Sequence, residues 1–233
     1  MYNKLFISLA ILFFSMSASA QYFIQPIENF SKSKTAYLTL LDGQSMEGKI
    51  KKIKSENGFI SKVSLQVDGH IMNYSSNEIA FMILPQKNSR NSFGSNNTDV
   101  IPADWSFNGY NKLMIENGYG YFELATITDK DKKVSTLLQL INPSFCNEIK
   151  VYHDPKVFVT NTHMMIGYAA HGQVTSFYTK VGDESVFKLW RSDYEKQFDT
   201  FFNDPVVTEI EGEEKEWENF QEVLYSSAGF NKR

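Results

Sequence analysis

Apolar residues in the first half of the chain recur at every second position, which is the spacing of half-buried β-strands. The first such run is Ala36, Leu38 and Leu40, and tight turns that contain glycine separate it from the runs that follow. These turns, which favour two-residue hairpins, are Asp42-Gly43, Asn57-Gly58 and Asp68-Gly69. Residues 35–85 therefore predict five short strands packed into a small barrel.

The second predicted strand contains one break in its alternation. Met46 and Ile50 share a face, but the next apolar residue is Ile53, because Lys51 and Lys52 stand in between. A single extra residue at this point restores the apolar face, so the pattern predicts a β-bulge and a bent strand.

The second half of the chain follows a polar stretch and ends in helical patterns. Residues 86–99 are polar and have no apolar periodicity, so we predict a linker over residues 86–107, after which strand signals resume at residue 108. Two apolar stripes with helical spacing lie near the C-terminus: Tyr194, Phe198, Phe201 and Phe202, then Trp217, Phe220, Val223 and Leu224. We therefore expect a small β-barrel-like domain over residues 21–85 and, over 108–233, a second antiparallel sheet with two C-terminal helices. The predicted fold class is α+β, with mostly antiparallel strands.

The first twenty residues have the composition of a secretory signal peptide. One lysine precedes an apolar run from Leu5 to Phe14, and the segment closes on Ala18-Ser19-Ala20, an A-x-A cleavage site. The 20 − 4 = 16 residues from Leu5 to Ala20 are fewer than the roughly 20 that span a bilayer. We expect cleavage after Ala20, export to a periplasmic or extracellular space, and no transmembrane anchor in the mature chain.

Two resemblances to known families add to this interpretation. The segments TLLDGQSMEGKI, VSLQVDGHIMNY and NEIAFMIL resemble the Sm-like and SH3-like barrel pattern of strand, D-G turn, G-K-I strand and closing apolar strand. The second half, from LLQLINPSFCNEIKVYHDP to TKVGDESVFKLWRSDYEKQFDTFFND, resembles a family of uncharacterised secreted proteins of Bacteroidota. That resemblance implies a secreted, β-rich architecture and no particular activity. Relatives often carry a second cysteine after the F-x-D motif, where this chain has Pro205 after Asp204.

Composition and charge narrow the functional classes. With 42% hydrophobic and 21% charged residues, the 233-residue chain is globular, and its single cysteine excludes a disulfide framework. Its 23 basic and 27 acidic residues give a net charge of −4, which argues against nucleic acid as a partner even though Sm-like barrels can bind RNA. A basic strand contains Lys49, Lys51, Lys52 and Lys54. We interpret it as an edge strand that lysines protect against aggregation.

Cys146 is the first candidate for catalytic chemistry. Asn142 followed by Pro143 predicts the start of a short helix, and a thiol near a helix N-terminus has a lowered pKa and can act as a nucleophile. The base would be one of His153, His163 and His171, with Asp154 to orient it. The alternatives for this cysteine are a core residue, an orphaned disulfide partner or a thiol that pairs between molecules, and its apolar neighbours favour the core.

The histidines also raise the question of a metal site. His163 and His171 are the closest pair, but on one strand they would stand roughly 26 Å apart, too far for one ion unless the chain turns between them. We therefore predict neither a metal site nor a cofactor.

The sequence contains no assembled catalytic signature in a chain that is clearly folded. We therefore expect an exported, non-enzymatic module of the envelope or the secreted space that binds a protein or glycan partner through β surfaces. The alternatives are a hydrolase-like enzyme that uses Cys146 with a histidine, and a structural component of envelope assembly.

Overall fold

The computed structural model describes residues 23–87, 110–129, 132–157, 175–201 and 216–228. Ten strands fall in these ranges. They are β1 (Thr35–Leu40), β2 (Ser45–Glu56), β3 (Phe59–Val67), β4 (His70–Ser75), β5 (Ile79–Pro85), β6 (Tyr119–Asp129), β7 (Lys132–Leu140), β8 (Ile149–Tyr152), β9 (Ser176–Val181) and β10 (Phe187–Trp190).

The strands form one antiparallel sheet in the order β10-β9-β8-β7-β6-β5-β1-β2-β3-β4. Ile60 of β3 also pairs with Leu137 of β7, and this pairing closes β1, β2, β3, β5, β6 and β7 into a six-stranded barrel. The remaining strands extend the sheet: β8, β9 and β10 continue beyond β7, and β4 lies beyond β3. The predicted α+β class with mostly antiparallel strands and a small barrel is therefore confirmed.

The barrel takes strands from both halves of the chain. β5 pairs with β6, for example through Met82 and Phe122, so the two predicted β regions are joined by backbone hydrogen bonds. Five strands of residues 35–85 do not close on themselves, because β4 leaves the barrel and β6 and β7 supply the closing wall. The predicted linker lies outside the described residues except for Gln86 and Lys87.

The predicted bulge and two of the three predicted two-residue turns are present, whereas Asp42-Gly43 lies in a longer loop over residues 41–44 in which only Gly43 has a positive φ, 87°. The pairing of β2 with β3 shifts by one residue between Ile50 and Lys52, which is the expected bulge. The β3–β4 turn has two residues at positive φ, Asp68 at 48° and Gly69 at 85°, as a type I′ hairpin requires. Asn57-Gly58 forms the β2–β3 turn in the same way, at 51° and 87°.

Three groups of buried apolar residues hold the sheet. One fills the barrel and includes Leu38, Ile50, Val63, Leu65, Met82 and Phe122. A second lies between the extended sheet and the C-terminal helices and includes Val151, Phe177, Leu189, Tyr194, Phe220 and Leu224. The third lies on the opposite face of β5 to β9 and includes Tyr110, Tyr121, Ile127, Leu140, Cys146 and Tyr178.

The segment just before β1 is fastened to the second half of the chain. The Ile24 N–H donates to Ile141 O at 2.7 Å, and the buried Gln139 side chain accepts from Ile27 N–H at 2.8 Å and donates to Gln25 O at 3.1 Å. Phe23 is 1% exposed and packs into the helix-side group. The chain is therefore tied into the sheet from its first described residues.

Three α-helices are described: α1 (Lys112–Glu116), α2 (Arg191–Phe201) and α3 (Phe220–Ser227), the last preceded by a 3₁₀ turn at Trp217–Asn219. Tyr194 and Phe198 of the first predicted stripe are buried, as are all four residues of the second. Among the described residues, no helix has the length and apolar character needed to cross a membrane.

The helix predicted to start at Asn142 and Pro143 is absent, and residues 141–148 form turns instead. The Asn142 amide bonds the backbone of the strand that follows: its Nδ2 donates to Ile149 O at 2.8 Å and its Oδ1 accepts from Val151 N–H at 2.8 Å. A second Nδ2 bond reaches Phe145 O at 3.3 Å. Because these bonds hold the turn against β8, the Asn-Pro signal was wrong as a helix start.

Candidate functional site

Cys146 lies in the turn before β8 and is 2% exposed. Its thiol donates to Pro143 O at 3.5 Å and packs in the apolar group on the outer face of β5 to β9. Burial raises the pKa of Cys146 to about 11, and the nearby Lys150 ammonium only partly opposes this. Without a helix N-terminus to lower its pKa, the thiol stays protonated at neutral pH and is a poor nucleophile.

His153 follows β8 and is partly buried, and its N–H donates to Gln139 O at 2.9 Å. Burial lowers the pKa of His153 to about 4, and the Asp154 carboxylate acts in the opposite direction. The groups that shift the pKa of Cys146 are Lys150, Glu123 and Tyr110. The electrostatic surroundings of the thiol therefore differ from those of the histidine that was predicted to activate it.

Asp154 is fully buried and anchors the start of the extended sheet. Its carboxylate accepts from Lys188 Nζ at 2.6 Å, from the Ser176 hydroxyl at 2.8 Å and from Lys156 N–H at 2.9 Å. These partners come from β10, β9 and the segment after β8, so the carboxylate ties three parts of the chain together. Its predicted role was to orient a histidine, and the contacts described here satisfy it as a structural ion pair.

The two histidines considered for metal binding, His163 and His171, lie outside the described residues. Within the ranges that the structure describes, no three His, Cys, Asp or Glu side chains are grouped so that they could hold a metal ion.

A polar cluster that the sequence did not reveal lies beside Cys146. Glu123 of β6 accepts hydrogen bonds from Lys150 Nζ at 2.8 Å, from Tyr152 Oη at 2.9 Å and from Tyr110 Oη. Desolvation alone would raise the pKa of Glu123, but these hydrogen bonds outweigh it and lower the pKa below the usual range. The cluster fastens the segment before α1 onto the sheet. The signal in the sequence was a single glutamate within the otherwise uncharged strand residues 119–128.

β4 ends the sheet, and its outer side has no described partner strand. In a two-residue hairpin the residues that flank the turn form a hydrogen-bonded pair, and such pairs alternate along the ladder. Val67 and His70 flank the Asp68-Gly69 turn, so the N–H and C=O groups of Ile71 and Asn73 point away from β3. Ser75 fits this series, because its N–H turns away from β3 and donates to the Glu78 carboxylate at 2.7 Å.

The side chains of β4 also leave apolar surface open. Ile71 is 60% exposed and Met72 is 43% exposed, on opposite faces of the strand. The strand contains no Lys, Arg, Asp, Glu or Pro, the residue types by which proteins usually protect a sheet edge. We call the outward backbone groups of Ile71 and Asn73, with these two side chains, the β4 edge.

The opposite end of the sheet is less open. β10 has four residues, and α2 begins at the residue after Trp190. Trp190 is 44% exposed, but Lys188 Nζ lies 3.8 Å from the centre of its ring and covers one face. Of the two terminal strands, β4 therefore offers the longer backbone edge.

No protein-family model, curated protein or solved structure matches this chain.

Proposed function

We propose that this protein is an exported, non-enzymatic binding module that takes up a segment of a protein partner as an added β-strand along the β4 edge. The observation that carries the proposal is the pair of outward backbone groups on Ile71 and Asn73 in a terminal strand with exposed apolar side chains. Strand addition uses such groups for affinity and the flanking side chains for specificity.

The composition of the β4 edge supports a binding role. A bare strand edge is an aggregation hazard, and proteins usually guard it with charges, proline or a bulge. The six residues of β4, HIMNYS, contain no lysine, no acid and no proline. An edge left open in this way is best explained by a partner strand that covers it.

Binding of a protein partner is favoured over hydrolysis and over glycan binding. The hydrolase alternative needs a reactive thiolate, but burial raises the pKa of Cys146 to about 11. A glycan platform needs an open aromatic face, and Lys188 already covers one face of Trp190. The assembly component would be a special case in which the added strand comes from a second copy of this chain.

Export is part of the proposal and rests on the leader-like residues 1–20. N-terminal sequencing of the protein recovered from outside the cytoplasm should begin at Gln21 if the segment is removed as expected. A chain that stays in the cytoplasm with Met1 intact would contradict this part.

The role of the β4 edge can be tested by a substitution in β4 that removes one outward N–H and leaves the residues of β3 unchanged. Proline at residue 73 deletes the Asn73 N–H, which the ladder with β3 does not use, so the fold should tolerate it. Asn73→Ala is the matched control, since it removes the same side chain and its bond from Ser64 Oγ but keeps the N–H. Both variants are expressed as the full chain with a C-terminal tag, crosslinked in the native envelope and captured.

The expected result is a partner that the wild type and Asn73→Ala capture and that Asn73→Pro loses. Amide hydrogen exchange at Ile71 and Asn73 should also slow in the complex, because both groups gain a hydrogen bond. Equal capture by both variants, or unchanged exchange at these amides, would refute strand addition at β4. Sedimentation of the purified chain shows whether the partner is a second copy.

A further inference from the structure

The outer face of the barrel next to the β4 edge is basic. Lys49, Lys52 and Lys54 of β2 and Lys62 of β3 alternate with the barrel-facing residues and point to the same side of the sheet. We call these four lysines the basic face. In the register of β4, the same face continues through Ile71, Asn73 and Ser75, opposite Gln66, Ser64 and Lys62.

The lysines of the basic face have no acidic partner among the described residues, since the ion pairs there involve Glu123 and Asp154. On the outward side of β2, β3 and β4, the four lysines share the surface with two acids, Glu47 and Glu56, near the two ends of β2, which gives 4 − 2 = +2. The whole chain has a net charge of −4. Positive charge is therefore concentrated on this part of the surface.

One contact in the basic face is unfavourable by itself. Lys54 and Lys62 are directly opposite each other on neighbouring strands, and like charges in that position destabilise a sheet. The interpretation of the lysines as guards of an edge strand was wrong, because β2 pairs with β1 and then with β3, and the terminal strand is β4. Their position beside an open edge calls for another explanation.

We infer that the segment taken up at the β4 edge is an acidic one, with Asp or Glu at alternate positions. An added strand would present every second side chain on the same outer side as the basic face. At a strand spacing of about 4.8 Å it would lie roughly 10 Å from β3, a distance that extended lysine and glutamate side chains bridge. Lys62 would be the nearest lysine, at the end of β4 where the Glu78 carboxylate already accepts from Ser75 N–H, and the lysines of β2 would add attraction from farther away.

This inference rests on the proposed strand addition and names the chemistry of the partner. Its test uses two synthetic eight-residue peptides, one that alternates glutamate with valine and one that alternates glutamine with valine. Binding to the full chain is measured by fluorescence anisotropy at low and at physiological salt. The acidic peptide should bind on the order of tenfold more tightly, and salt should reduce that difference.

Charge reversal separates the basic face from the edge. Lys54→Glu with Lys62→Glu should reduce the affinity for the acidic peptide on the order of tenfold and leave the glutamine peptide nearly unchanged. The matched control is Lys132→Glu with Lys196→Glu, which changes the net charge equally at exposed positions of β7 and α2. That control should have little effect, while Asn73→Pro should weaken both peptides.

The outcomes distinguish the inference from the proposal beneath it. If Asn73→Pro abolishes binding while the lysine reversal changes nothing, strand addition stands and an acidic partner is refuted. Failure of the acidic peptide to bind at 1 mM peptide, on the order of the weakest specific affinities, also refutes the inference. Dextran sulfate, a polyanion that cannot add a β-strand, tests whether the lysines instead bind polyanions. Tight binding of this polyanion that survives Asn73→Pro and competes with the acidic peptide would identify a polyanion site in place of a strand site.

Discussion

Replacement of Asn142 by alanine should lower the free energy of unfolding strongly. The side chain is fully buried and makes three hydrogen bonds with the backbone, to Phe145 O, Ile149 O and Val151 N–H. Each intramolecular hydrogen bond contributes about 1 kcal/mol net, and a buried group left without a partner costs more. The expected loss in the free energy of unfolding is therefore about 3 kcal/mol.

Urea unfolding followed by tryptophan fluorescence measures this loss. With a slope near 3 kcal/mol/M for a chain of this size, the midpoint should fall by about 1 M. Ser144→Ala is the control in the same turn, because the Ser144 hydroxyl is buried and has no hydrogen-bond partner among the described residues. Its removal should leave the midpoint unchanged or raise it slightly. A loss below about 1 kcal/mol for Asn142→Ala would refute the assigned role of its amide.

Three other predictions follow from buried groups. Hydrogen bonds lower the pKa of Glu123 in the folded protein. Its contribution to stability is therefore complete above the unfolded-state pKa of 4.5 and is lost as pH falls through the lower pKa of the folded state. In a plot of the urea midpoint against pH, Glu123→Gln should make the decline at acid pH less steep. Cys146 should not react with iodoacetamide in the native state at about pH 7.5 and should react fully in urea. At this pH an exposed thiol with the ordinary pKa of roughly 8.5 would react. Rapid labelling of the native protein would contradict the burial of Cys146. Gly48→Ala should lower stability more than Gly120→Ala in thermal unfolding. The new Cβ would lie 2.5 Å from Gln66 O, a backbone atom, whereas at Gly120 it meets the end of a side chain.

The features that the sequence predicted correctly depend on neighbouring residues. The Asp68-Gly69 turn needs two residues at positive φ, and aspartate before glycine provides them at low cost. The bulge in β2 is indicated by the spacing of Ile50 and Ile53 alone, because apolar residues three positions apart share a face of a strand only if one extra residue lies between them. The apolar stripe from Trp217 to Leu224 repeats with the helical period and is buried as expected.

The features that the sequence missed depend on contacts between distant residues. The Asn142-Pro143 pair fits both a helix start and a turn, and the choice is made by Ile149 and Val151, seven and nine residues further on. Closure of the barrel depends on which strands meet, and no residue near Ile60 indicates that its partner is Leu137.

The candidate site shows the same division. A strand over Ile71–Tyr74 could be predicted from its composition, but its place at the end of the sheet could not, because that place depends on how β3 divides its pairing between β4 and β7. For this reason the basic strand was assigned to an edge and the true edge was overlooked. The Glu123 cluster was missed because Lys150 lies 27 residues away along the chain.

The pairing between Ile60 and Leu137 spans 137 − 60 = 77 positions, which sets an order of events during biosynthesis. β1 to β5 emerge first and cannot close into the barrel until β6 and β7 arrive. During that interval β5 presents an unpaired side to other chains, and β3 presents only its first residues, because β4 pairs with β3 from Lys62 to Val67. Long-range closure of this kind is slow compared with hairpin formation. A chain severed between residues 87 and 110 should therefore yield two pieces that are each unable to fold to the native state and that recover it together, as a split protein does.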